Sequence, residues 1–228
     1  MYKRQILGCE VYVAPNSRFD REITGGDDRY YHLVLLAENE EGYANLTKIV
    51  SKGFVEGYYY KPRVDKELLR KYHKGIIALS ACLAGEVARF LTKGLYEEAK
   101  KTALEYQEIF GEGNFFLELQ DHGIPEQGLV NQQLFKMSEE TGIELVATND
   151  IHYTYAEDAK PHDILPVSYT HLCDHTIGRI FIEEYLDRIS QFDSVRNLFL
   201  WKKNTLLVTS KIYSKIYQLY YRKYLFYS

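Results

Sequence analysis

Residues 115–153 read FFLELQDHGIPEQGLVNQQLFKMSEETGIELVATNDIHY, and this stretch decides the fold. Phe115–Gln120 is an apolar run of strand length, Glu126–Glu140 is long enough for a helix, and Leu145–Thr148 is a second short strand. Glycine or proline punctuates the joins at Gly123, Pro125 and Gly142. Strand, helix and strand joined by short connections argue an α/β fold with a largely parallel sheet. Each strand runs into a polar loop, Asp121-His122-Gly123 after the first and Asn149-Asp150-Ile151-His152 after the second. In parallel α/β architectures reactive groups collect just past the C-terminal strand ends, where the loops converge.

The pattern continues upstream. Residues 5–14 and 30–37 read as strands, and 39–56 as an amphipathic helix with Leu46, Ile49, Val50 and Phe54 on one side. A short helix is expected over 65–73 and a buried strand over Ile76–Ser80, bounded by Gly75. Helices are then expected over Leu83–Leu91 and Leu95–Phe110, the latter with Leu95, Ala99, Ala103, Tyr106 and Phe110 on one stripe.

The chain has 228 residues, 28 Lys and Arg against 32 Asp and Glu, which is too balanced for charge alone to predict a nucleic-acid surface. Cys9, Cys82 and Cys173 form no CxxC pair, so a disulfide framework is not expected and a reducing cytoplasm is the simplest compartment. The N-terminal residues make a poor signal peptide, and no apolar stretch reaches the length of a membrane span.

Character changes near residue 166. Residues 1–165 carry a net charge of −8 and 14 of the 15 glycines, whereas 166–228 carry +4, 8 tyrosines and only Gly178. The division expected is a first domain over 1–165 and a tail over 166–228, either misjoined to it or a helical appendage with Ile182, Tyr185, Leu186 and Ile189 at helical spacing.

Asp150 and His152 offer a carboxylate oxygen and an imidazole nitrogen two residues apart, and on an extended backbone both point to one face. That pair suits a first-row divalent metal. The competing reading has Asp150 capping the next turn and His152 packing on Tyr153. His122 is either a ligand or a hydrogen-bonded loop residue. Glu10, in ILGCEVYV, is by default an outward-facing strand residue, and His32 a satisfied sheet residue. His73 reads as solvated surface, His162 as a helix-start or sheet-end residue, and His171, Cys173 and His175 as ligand-like but in the tail. There is no Walker loop, GxGxxG, GxSxG or HExxH. What remains is a scattered His, Asp and Glu set of the kind that builds metal sites for phosphoester hydrolysis.

The runs GCEVYVAP (8–15), YHLVLLAENEEGYANLTKIVS (31–51), YYKPRVDKELL (59–69), GIIALSACLAGEV (75–87), FFLELQDHGIPEQ (115–127) and LVATNDIHY (145–153) carry a resemblance. Together they resemble the polymerase and histidinol phosphatase (PHP) domain at the N-terminus of bacterial DNA polymerase III alpha subunits. The resemblance covers about residues 6–165 and implies a distorted, TIM-like β/α barrel of seven strands whose mouth holds metal ions. By motif it implies ligands at Glu10, His32, His122, Asp150 and His152, selecting Glu10 and His32, which spacing alone does not. The family's HxH and TDH motifs lie upstream of GCE, so the expectation is a partial barrel lacking its first strands, with an unrelated tail and an aggregation-prone edge.

The function implied is that of a fragment of a DNA-directed DNA polymerase, with divalent metals, Zn or Mn in this domain and Mg in the parent polymerase. Its partners would be DNA and other replicase subunits, with a proofreading exonuclease subunit as a further candidate and no membrane. The intact parent would carry 3′–5′ exonuclease or phosphoesterase chemistry, while the fragment itself is expected to be inactive. The alternatives are a non-catalytic docking module for a proofreading subunit and a stand-alone phosphatase of the same superfamily.

Overall fold

The alternation expected for a half-polar strand begins at once in β1 (Gly8–Val13) and β2 (Tyr31–Ala37), which pair antiparallel with Tyr12 opposite His32 and Glu10 opposite Val34. The computed structural model describes residues 6–21, 29–152 and 155–159. The tail over 166–228, with His171, Cys173 and His175, and also His162, lies outside the described residues. Val11, Val13, Tyr31, Leu33 and Leu35 are buried on one side of the pair, whereas Glu10, Tyr12, His32 and Val34 occupy the other.

Helix α1 (Glu40–Val55) starts where Asn39 accepts a hydrogen bond from the Gly42 amide at 2.9 Å. Its buried side is Gly42, Asn45, Leu46, Ile49 and Gly53. Val50 and Phe54, expected on that side, are exposed instead. Each step of four residues turns about 40° further round a helix of 3.6 residues per turn, so the row from Leu46 drifts off the core. The glycines allow close approach, since a Cβ at Gly42 would lie 1.7 Å from the Gly75 carbonyl oxygen.

Strands β3 (Tyr58–Tyr59) and β4 (Lys61–Val64) follow in a stretch whose apolar spacing predicts no strand. Helix α2 (Lys66–Tyr72) is capped by Asp65, β5 spans Ile76–Leu79, and helices α3 (Glu86–Thr92) and α4 (Tyr96–Phe110) lead to β6 (Phe115–Leu119). Helix α5 (Pro125–Thr141), begun by proline and ended by left-handed Gly142, leads to β7 (Leu145–Ala147), and a 3-10 turn spans Ala156–Asp158.

The seven strands form one sheet in the order β3-β4-β1-β2-β5-β6-β7. It is mixed rather than largely parallel. Strand β2 runs antiparallel to both β1 and β5, and β3 is antiparallel to β4, while β1·β4, β5·β6 and β6·β7 are parallel. The cause lies between β1 and β2, where no described helix supplies the crossover that a parallel pair requires. Because β2 alone among the long strands is reversed, its first residues, Tyr31 and His32, sit at the same end of the sheet as the C-terminal ends of β1, β4, β5, β6 and β7. Among the described residues no pairing joins β7 to β3.

The helices cover one face. Leu33, Leu35, Ala78, Phe115, Leu117 and Leu119 project into a core completed by Leu46, Ile49, Leu69, Leu91, Ala103, Tyr106, Leu134 and Met137. The other face holds a small apolar cluster, Ile77, Leu79, Phe116 and Val146 with Val34 and Leu36. Beyond that cluster, toward the C-terminal strand ends, the same face turns polar.

Candidate metal centre

Glu10 and His32 meet because they are diagonal neighbours on one face of the β1·β2 pair, a spacing that long side chains bridge. His32 Nδ1 lies 3.0 Å from Glu10 Oε1. A third group arrives from the loop after β5. There Ala81 takes a left-handed backbone (φ +62°), the Gly85 amide donates to the Cys82 carbonyl at 2.8 Å, and the His32 amide donates to Ala84 at 3.0 Å. A Cβ at Gly85 would sit 2.1 Å from the Ser80 carbonyl oxygen, so only glycine lets the loop close this tightly. The result sets Cys82 Sγ 3.6 Å from His32 Nδ1.

One ligand atom from each of Glu10, His32 and Cys82 lies within 4.8 Å of the others. A carboxylate oxygen, an imidazole nitrogen and a sulfur converging at that separation fit a divalent metal such as zinc. The electrostatics agree. Burial alone would lower the His32 pKa, but hydrogen bonds to Cys82 and Glu10 and the Glu10 charge lift it to about 9. The hydrogen bond from His32 holds the Glu10 carboxyl below its usual range against the opposing effect of burial. Protonated, His32 supplies beside Glu10 the positive charge that a bound cation would otherwise supply. Tyr12 and Tyr30 bracket His32, with ring centroids at 5.2 and 6.1 Å.

The loop after β7 comes close by charge. His152 is near enough to Glu10 to lower its pKa, and Asp150 near enough to Glu118 to raise its pKa. The backbone there is not extended as expected, because Asp150 adopts φ +43° and its carbonyl oxygen lies 2.8 Å from His152 Nδ1. Aspartate tolerates that left-handed conformation better than most residues. His122 is placed differently. Gln127 Nε2 donates to its Nδ1 at 3.0 Å, its Nε2 donates to the Asn149 carbonyl at 2.9 Å, and its amide donates to Gln127 Oε1. Both ring nitrogens are therefore engaged with protein atoms. His73 lies 2.7 Å from the Arg70 carbonyl at the end of α2, away from these groups.

Two residues escaped the sequence reading. Cys82 carries no metal-ligand spacing in the sequence, yet it lies just past the C-terminal end of β5, the same kind of position as His122 and Asp150. Glu118, the one charge in FFLEL, is 6% exposed. Burial pushes its pKa up, partly offset by hydrogen bonds from Thr148 and Gln120, and its Oε2 has no hydrogen-bond partner among the described residues. It lines a small cavity with Ala81, Cys82, Gln120, Gln127 and Asn131.

The PHP domain family model matches residues 3–122. The chain belongs to the PHP domain family. The chain is 49% identical over 162 residues to the DNA polymerase III subunit alpha of Treponema pallidum, covering 71% of this chain and 14% of that protein. It is 48% identical over 168 residues to that of Deinococcus radiodurans, covering 72% and 12%, and 45% identical over 163 residues to that of Thermus aquaticus, covering 71% and 13%. The chain thus spans about one seventh of the length of these relatives. PHP domains are generally metal-binding, and Glu10, His32 and Cys82 supply donors of the right kind. No helix of the described residues is long and apolar enough to cross a membrane.

Proposed function

We propose that this chain is the metal-binding PHP portion of a replicative DNA polymerase alpha subunit, residues 1–165 forming the domain and 166–228 a separate tail. The observation that carries the metal reading is the convergence of Glu10, His32 and Cys82 within 4.8 Å at the C-terminal strand ends. Asp150 and His152, on the adjacent loop, are the further ligands, and His122 joins only by giving up its bond to Gln127 or Asn149. The seven strands would then be the part of a distorted barrel whose mouth these groups line.

The whole protein in this reading is a cytoplasmic DNA-directed DNA polymerase acting on DNA with other replicase subunits, and its partners include a proofreading exonuclease subunit. The PHP centre supplies 3′–5′ phosphoesterase chemistry when all ligands are present. Divalent ions, zinc or manganese here, activate water and neutralise phosphate charge in such sites. The chain's own part is to hold them. Glu10 and Cys82 offer anionic donors, and His32 must release the proton that its neighbours favour before its nitrogen can ligate. The 38–49% identity to alpha subunits supports the polymerase assignment over a stand-alone phosphatase.

The test is metal content and zinc or manganese titration of the chain beside Cys82→Ser and the double variant Asp150→Ala, His152→Ala. We expect at least one equivalent of metal in the parent and a loss of about 100-fold in affinity for Cys82→Ser, the scale on which metal sites respond even to changes of supporting residues. Absence of metal from the folded parent would overturn the metal reading, and unchanged affinity in the double variant would remove Asp150 and His152 from the ligand set.

A further inference from the structure

Glu118 occupies a buried position in β6 where an apolar side chain would close the sheet at less cost. Its side chain shares a face with Phe116, while Leu117 and Leu119 turn toward the helices. That face is the one on which Glu10, His32 and Cys82 meet, yet Glu118 is not among the three. What it does instead follows from its hydrogen bonds.

The two ends of this residue reach opposite neighbours of β6. Its amide donates to Ser80 Oγ at 2.8 Å, at the end of β5. Its carboxylate Oε1 accepts a short hydrogen bond from Thr148 Oγ1, at the end of β7, and another from Gln120 Nε2 at 3.0 Å. Glu118 stands opposite Val146, so Thr148 is its diagonal neighbour across the β6·β7 pair. Gln120 is fixed in turn, because its carbonyl accepts from Asn131 Nδ2 of α5 at 2.9 Å. None of these side-chain bonds is needed to pair the strands. The Ser80 amide already donates to the Phe116 carbonyl at 3.0 Å, and the Thr148 amide to the Leu119 carbonyl at 3.1 Å.

Ser80 runs directly into Ala81-Cys82, and Thr148 into Asn149-Asp150-Ile151-His152. Each of these loops contains a left-handed residue that is not glycine, Ala81 at φ +62° and Asp150 at φ +43°. Such conformations persist only where the surroundings over-determine them. Glu118 holds the residue from which each loop departs, and it lines a cavity that has Cys82 on its wall. We infer that Glu118 is a positioning residue of the metal centre, a buried hub that sets the Cys82 loop and the Asp150–His152 loop in fixed relation to each other. This deepens the metal reading and rests on it for what the two loops deliver, whereas the hold on the loops exists without metal.

The experiment compares zinc affinity, by competition with a chromophoric chelator, and hydrogen exchange of the metal-free full chain in Glu118→Ala, Glu118→Gln, Thr148→Val and Ser80→Ala. We expect Glu118→Ala to lose about 30-fold in zinc affinity and to exchange faster over both 80–85 and 148–152. Glu118→Gln keeps an oxygen that can accept from Thr148 and should stay close to the parent in both readouts. Thr148→Val, equal in size but without the hydroxyl, should lose about tenfold and exchange faster over 148–152 alone, and Ser80→Ala over 80–85 alone. Thr47→Val removes a hydroxyl bond to the Tyr43 carbonyl on α1 and should change neither. Zinc bound by Glu118→Ala as tightly as by the parent overturns the hub, as does a Glu118→Gln variant impaired as much as Glu118→Ala. If Glu118→Ala does not fold, parental affinity and exchange in Thr148→Val overturn it equally. A folded parent that binds no zinc, with loop exchange responding as expected, rejects the metal reading and keeps the hub. Zinc bound by the parent, with parental loop exchange in every variant, rejects the hub and keeps the metal reading.

Discussion

The two faces of the sheet obey different rules. The helical face is closed by apolar side chains from every described helix, and Val13, Leu35, Ile49, Leu69, Leu117 and Leu119 are almost wholly inaccessible there. The opposite face has only the cluster around Phe116 and Val146, then a polar end with Glu10, His32, Cys82 and Glu118. The same strands serve both faces, since alternate residues of β1, β2 and β6 point in opposite directions. Stability and chemistry are thereby separated residue by residue rather than domain by domain.

That separation breaks first, if it breaks, at Leu35. Replacing Leu35, which is 0% exposed, by alanine should cost about 3–4 kcal/mol in urea unfolding, while the folded fraction keeps its metal stoichiometry. A folded variant that had lost metal would mean that the helical face tunes the centre.

The next effect belongs to the polar face alone. With the His32 pKa at about 9, metal must displace its proton below that value, and the Cys82 thiol must shed a second proton to ligate, so zinc affinity should rise by more than tenfold for each pH unit from neutrality upward. The metal-free protein behaves oppositely. A raised folded pKa stabilises fully below the ordinary value of 6.5, and that contribution is lost as pH rises through about 9. In Glu10→Gln the charge that lifts His32 is gone, and calorimetric titration should show the rise in affinity becoming shallower at lower pH. A wild-type affinity independent of pH would show that the imidazolium is not the competitor.

Glu118→Gln tests the smallest difference. Burial raises this carboxyl's pKa, so ionisation costs stability as pH climbs above the ordinary carboxylate range. The amide should be more stable than the parent by about 1 kcal/mol in mildly alkaline urea titrations, with the gain vanishing in mild acid. A loss of stability at alkaline pH would instead mean that the charged form is held by a partner outside the described residues.

How far these faces could be read beforehand follows from the same alternation. Most of the strands and helices and the α4 stripe from Ala99 to Phe110 were legible because apolar spacing reports burial against helices, although Leu95, expected on that stripe, is 40% exposed just before the helix begins. Two-residue β3 was not, since Tyr58 and Tyr59 bury little, and the direction of β2 was hidden because a strand's pattern is the same read either way. At the site, His122, Asp150 and His152 stood out from their place after strands. Glu10 and His32 required the family resemblance, because their meeting depends on register between two strands. Cys82 depends on a left-handed Ala81 and on Gly85, neither of which announces a cysteine's neighbour 50 residues earlier.

The reversed direction of β2 has a consequence for how the centre comes into being. Glu10 and His32 are only 22 residues apart and belong to a pair of strands that can form as soon as both have been synthesised. Cys82 stands 50 residues from His32 and reaches it only after a helix-bearing excursion. Closing the longer loop costs just about 0.7 kcal/mol more than closing the shorter one. The delay of the third donor is therefore one of chain order rather than of entropy, and a nascent chain presents a two-donor half-site well before the thiol arrives to complete it.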